Sequence, residues 1–101
     1  LADNPLGRLA ENLARAGGVD VSDIFWRNAD DARNGLYFIE RGFGWRAPNS
    51  VFDRADTAIS DLRPDEIERG EIFGQTRWFH TGGIFAGLSA TTPATALAAM
   101  R

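Results

Sequence analysis

Arg77-Trp78-Phe79-His80-Thr81-Gly82-Gly83, with Thr92-Pro93 downstream, is the stretch that decides the fold. Its first four residues read as a short apolar strand and its glycines as the exit from that strand. Thr92-Pro93 opens a final helix that carries Leu97 and Met100 and runs to Arg101. Strand, loop and helix over residues 79–99 make half of a crossover unit. A parallel strand must be paired and covered by neighbours, and the chain offers only one good candidate for that sheet. The expectation is an α/β chain whose sheet is incomplete.

Upstream, Asn4 is suited to cap a helix and Pro5 to its first position. Leu6, Leu9, Ala10, Leu13 and Ala14 fall on one face, and Gly17-Gly18 stops the helix. Residues 19–26 are short, β-branched and aromatic, and read as extended before a polar turn at 28–31. Residues 35–41 form a strand by residue type, with Gly35, Tyr37 and Ile39 on one side and Leu36, Phe38 and Glu40 on the other. After a hairpin-like loop at 42–49, residues 51–54 return as its partner, and Phe52 shares a face with Arg54. A second helix is expected over 61–70, opened by Pro64 with Asp65 and Glu66 at its positive end. The organisation is a helix and strand (1–33), an inserted antiparallel pair (34–60) and a helix–strand–helix (61–101).

Composition narrows the function. The 101 residues are 44% apolar and 25% charged, an ordinary globular balance, with a net charge of −3. No basic stripe suited to nucleic acid is present, although all eleven basic residues are arginine. The absence of Cys excludes disulfides, thiolate metal sites and a Cys nucleophile. A single His makes a histidine zinc site improbable, and no metal site is expected. No apolar run approaches the ~20 residues of a membrane span. The opening Leu1-Ala2-Asp3-Asn4-Pro5, without an initiator Met, agrees with a truncated chain.

Tyr37 and Arg54 are the leading site candidates. On one side of a hairpin they offer a hydroxyl-bearing ring and a cationic fork, a combination suited to a small polyhydroxylated anion. The competing reading gives Tyr37 a packing role and pairs Arg54 with Asp53 or Asp56. Arg46 is a secondary anion contact or a solvated loop residue. His80, beside Trp78 and Phe79, is expected to be buried and structural. Gly82-Gly83 fits neither a Walker loop nor a dinucleotide fingerprint, and no residue set supplies a nucleophile with its base.

Several of these stretches resemble one family. Asp3-Asn4-Pro5-Leu6-Gly7-Arg8 and Gly18-Val19-Asp20-Val21-Ser22 resemble the segment of ribokinase/PfkB-type carbohydrate kinases in which a helix precedes the strands of a β lid. Asn34-Gly35-Leu36-Tyr37-Phe38-Ile39-Glu40 looks like a lid strand. Val51-Phe52-Asp53-Arg54-Ala55-Asp56-Thr57-Ala58-Ile59-Ser60 is similar to the V-x-Y-D-R-A-x-S-A-I-S run of the 2-keto-3-deoxygluconate kinase branch. Trp78-Phe79-His80-Thr81-Gly82-Gly83-Ile84 and Ala86-Gly87-Leu88-Ser89 resemble the W-F-H-x-T/S-G-I-x-x-A-L-S run of the same group.

The resemblance implies a partial ribokinase-like three-layer αβα sandwich with a small β lid, in a cytoplasmic transferase. The reaction implied is transfer of the γ-phosphoryl of ATP, with Mg²⁺, to a keto-deoxy sugar acid or another sugar such as fructose or ribose. Tyr37 and Arg54 resemble substrate-contacting residues, with Gly35, Phe52 and Arg46 as further lid or substrate positions. The lid strands have open edges and are the expected route to a homo-oligomer. The departures are Phe52 in place of tyrosine, the extra Gly83, and the absence of both the N-terminal sugar-binding glycines and the Gly-Ala-Gly-Asp motif. That motif carries the catalytic aspartate beside the nucleotide pocket, so no catalytic residue is expected in this chain.

Overall fold

Asn4 begins the first helix as its chemistry predicts. Its backbone is extended, and its side chain accepts a 3.0 Å hydrogen bond from the Gly7 N–H, with Pro5 in the first turn. In this computed structural model, which describes residues 1–67 and 69–101, the elements are α1 (Pro5–Ala16), β1 (Leu36–Glu40), β2 (Asn49–Asp53), α2 (Arg69–Gly74), α3 (Gly83–Ala86) and α4 (Thr92–Ala99). Gly18 takes a left-handed φ of 83° just beyond α1. Gly7 is required for a different reason: a Cβ there would lie 2.0 Å from the carbonyl oxygen of Ala2.

The hairpin is the one sheet among the described residues. Its strands are antiparallel and pair Leu36 with Asp53, Tyr37 with Phe52, Phe38 with Val51, Ile39 with Ser50 and Glu40 with Asn49. A tight inner turn joins Phe43 to Arg46, with Gly44 at φ 61°. A Cβ on Gly42 would come within 2.4 Å of the Arg46 carbonyl, so the loop closes only around glycine.

Several expectations are corrected. Residues 19–26 form no strand; the Asp20 carboxylate accepts bonds from the Ser22 N–H (3.0 Å) and hydroxyl (2.8 Å), a local turn that competes with ladder pairing. These bonds hold the Asp20 carboxyl below its usual pKa. The helix expected over 61–70 is replaced by turns across 61–67, with Glu68 outside the described residues and α2 beginning at Arg69. There the Glu66 carboxylate accepts from the Arg63 N–H (2.8 Å) and pairs with Arg27 (2.6 Å), which fixes a turn instead of a helix start.

Residues 77–80 are irregular, because no described segment pairs with them to complete a ladder. His80 is exposed, not buried. The last helix does form at Thr92, ending at Ala99 instead of continuing to Arg101. No three-layer sandwich is present among the described residues, which make a small mixed α/β arrangement around one two-stranded sheet.

The interior is thin. The buried apolar residues among those described are Ala2, Ala58 and Ala96, joined by buried Thr57, Ser60, Thr92 and Thr95. Large apolar side chains face outward: Leu13 on α1 is 65% exposed and Ile84 on α3 is 73% exposed. The chain has 7925 Å² of accessible surface, whereas a folded monomer of its 11.1 kDa mass exposes about 5,700 Å². Its Cα radius of gyration is 15.8 Å, against about 13 Å for a compact domain of this length. No helix among the described residues is long and apolar enough to cross a membrane.

Candidate functional site

Pairing register brings the two leading candidates together. Residues directly opposite in an antiparallel pair project to the same face, and Tyr37 lies opposite Phe52. Their rings stack with centroids 6.2 Å apart at 28°. Arg54, two residues beyond Phe52, places its guanidinium 4.7 Å over that ring. Phe52 is thus the platform between the tyrosine and the arginine, a role the sequence suggested only weakly.

Tyr37 and Arg54 line one groove of about 1230 Å³. Its other polar lining comes from Ser22, Asp23, Arg33, Asn34, Thr57 and Glu66, and Gly35 lies along its wall. Its apolar lining includes Leu6, Leu9 and Leu13 of α1 with Phe25 and Ile59. A small-molecule site usually encloses about 300–1,000 Å³, so this groove is larger than one ligand needs. Arg46 does not reach it: its guanidinium pairs with Glu40 at the far end of the hairpin and is 67% exposed.

Arg54 is held through its backbone, while its head group rests over Phe52 and makes no ion pair among the described residues. The Thr57 hydroxyl donates to the Arg54 carbonyl at 3.3 Å. Thr57 is itself fixed by Ser60, whose hydroxyl donates to the Thr57 carbonyl at 2.8 Å and accepts from the Thr57 N–H at 2.8 Å. Neither Asp53 nor Asp56 pairs with Arg54; among the described residues the Asp53 carboxylate goes to Arg33. Arg54 is exposed, and among the described residues it does not form the pairing with those aspartates. Arg33 also donates to the Ala55 carbonyl at 2.6 Å.

Asn34 ties this side of the hairpin to the N-terminal segment. Its side-chain oxygen accepts from the Ala2 N–H at 2.9 Å, and its amide donates to the Ala2 carbonyl (3.2 Å) and to the Asn4 side chain (3.0 Å). Sequence reasoning missed both Arg33 and Asn34 as organising residues. Their partners lie 20 and about 30 residues away, and only charge complementarity between Arg33 and Asp53 gave any hint. No three His, Asp or Glu side chains among the described residues are grouped to hold a metal ion. The described residues do not form a Mg²⁺ site.

Comparison with known proteins adds to this geometry. No protein-family model matches the chain. It is 42% identical over 91 residues to a 2-dehydro-3-deoxygalactonokinase of Haloferax volcanii, covering 90% of this chain and 27% of that protein. The crystal structure of 2-dehydro-3-deoxygluconokinase from Thermotoga maritima superposes with a TM-score of 0.86 at 33% identity, covering 99% of this chain and 30% of that one. The chain's fold matches part of that kinase structure. It spans less than a third of the length of either relative.

Proposed function

We propose that these residues are the substrate-covering segment of a cytoplasmic kinase that transfers the γ-phosphoryl of ATP to a hydroxyl of a keto-deoxy sugar acid such as 2-keto-3-deoxygluconate. The observation that carries the reading is the Arg54 guanidinium, without a carboxylate partner among the described residues, set over Phe52 and sharing a groove with Tyr37. A guanidinium takes a carboxylate through two parallel hydrogen bonds. The two aromatic rings cover the carbon skeleton, and the Tyr37 hydroxyl offers a further hydrogen bond. The names of both relatives support the same substrate class.

In the reaction the acceptor hydroxyl loses its proton, its oxygen bonds to the γ-phosphorus, and the bond from that phosphorus to ADP breaks. These residues orient the acceptor and exclude water; the proton acceptor, ATP and Mg²⁺ belong to other parts of the enzyme. The remaining αβα core would cover the apolar groove and the roughly 2,200 Å² of surface in excess of a compact monomer of this mass. That area is on the scale of an obligate interface.

The test is ADP release by the protein expressed from its own gene, supplied with ATP, Mg²⁺ and the sugar acid, beside the 101-residue chain alone. Turnover that depends on the sugar acid is expected from the first and background from the second. Arg54→Leu should raise KM for the carboxylated sugar far more than for a neutral ketose. Equal rises would remove the argument for an acid and favour a fructose- or ribose-like substrate.

The opposite face of the hairpin supports a second role. Phe38 and Val51, paired across the strands, are 60% and 55% exposed on the side away from Tyr37. We infer that this face and the open strand edges make a contact between copies, as the lid resemblance implies. Phe38→Glu should lower the molar mass read by light scattering; an unchanged mass removes this role.

A further inference from the structure

We propose that Arg33 is a positioning residue for Arg54: by engaging Asp53 and Ala55, the residues on either side, it leaves the Arg54 guanidinium available to an acidic ligand. The inference rests on the reading of Arg54 as the anion contact. Arg33 pairs with the Asp53 carboxylate and donates to the Ala55 carbonyl at 2.6 Å. Its own carbonyl accepts from the Ala58 N–H at 2.9 Å, so Arg33 is bound to the segment around Arg54 by side chain and backbone together.

Asp53 adjoins Arg54 in the chain, and among the described residues its carboxylate pairs with Arg33; without that partner it is an uncompensated negative charge next to Arg54. A carboxylate beside the guanidinium attracts it or lowers the local potential, and either effect weakens anion binding. The Arg33–Asp53 pair is too exposed to matter much for fold stability, with side-chain exposures of 40% and 48%. Its consequence is therefore electrostatic, and it falls on Arg54.

The experiment uses the protein expressed from its own gene and compares KM and kcat for a carboxylated sugar and a neutral ketose in Arg33→Met, Arg33→Met/Asp53→Asn and Arg54→Leu. Arg33→Met is expected to raise KM for the acid about five- to tenfold with little change for the neutral sugar or in kcat. The added Asp53→Asn should return KM to within about twofold of wild type, because it removes the carboxylate that Arg33 had occupied. A KM rise equal for both sugars, or one that Asp53→Asn does not relieve, overturns the proposal and leaves Arg33 a structural residue. If Arg54→Leu leaves KM for the acid unchanged, the underlying reading of Arg54 fails. If Arg54→Leu raises it and Arg33→Met does not, only the present inference fails. Should Arg33→Met fold poorly, Arg33→Gln removes the charge while keeping a donor for Ala55 and gives the same comparison.

Discussion

Asn34→Asp is the most informative single change, because it alters one atom's chemistry and almost no volume. In the native chain the Asn34 amide donates to the Ala2 carbonyl at 3.2 Å and to the Asn4 side-chain oxygen at 3.0 Å. A carboxylate in its place donates to neither and sets a negative oxygen against two acceptors. Both acceptors keep another donor, the Asn4 N–H for Ala2 and the Gly7 N–H for Asn4, so neither is orphaned. Losing the two bonds costs about 2 kcal/mol, and the part-buried repulsion adds on the order of 1 kcal/mol.

The sign with pH follows from the same geometry. The introduced carboxyl is held above its unfolded value of about 3.9, because only the protonated form can donate. Below that pH the penalty is small, and it grows as pH rises through the folded value. In the longer enzyme proposed above, thermal unfolding at neutral pH should show Tm lowered by about 6–10 °C, with the deficit shrinking toward pH 4. A deficit independent of pH, or one below about 2 °C, would refute the assignment of Asn34 as a two-donor clamp.

Three further outcomes follow from neighbouring geometry. Gly42→Ala drives a Cβ to 2.4 Å from the Arg46 carbonyl; hydrogen exchange in β1 and β2 should rise about tenfold or more, a loss of at least ~1.4 kcal/mol. Ser60→Ala removes the partner of the buried Thr57 N–H, and should lower stability by about 1–3 kcal/mol in chemical denaturation. Phe52→Leu removes the platform under Arg54; KM for the sugar acid should rise about two- to fivefold, as expected for an exposed cation–π contact, with kcat little changed.

Some elements were readable from the sequence because their determinants are local. The Asn4 cap, Pro5 and the Gly17-Gly18 stop delimit α1 without reference to the rest of the chain. Alternation along residues 35–41 and 51–54 located the hairpin and put Tyr37, Phe52 and Arg54 on one side. Other features depend on distant partners. The 61–70 segment has good helix-start chemistry, but Arg27, nearly forty residues away, captures Glu66 and holds a turn. Residues 77–80 have strand composition, yet a strand exists only with a neighbour. Arg54's freedom from Asp53 was illegible for the same reason, since it depends on Arg33 reaching across the base of the hairpin.

The tip of the hairpin provides a natural optical reporter. Trp45 is fully exposed at 103%, Trp78 is 85% exposed, and Trp26 lies half-buried with the Arg8 guanidinium 3.8 Å from its ring. Two of the three indoles therefore emit from water in the uncovered chain. A partner that covers the hairpin tip should shift Trp45 fluorescence to the blue, so its arrival can be followed in real time without a label, with Trp45→Phe as the silent control.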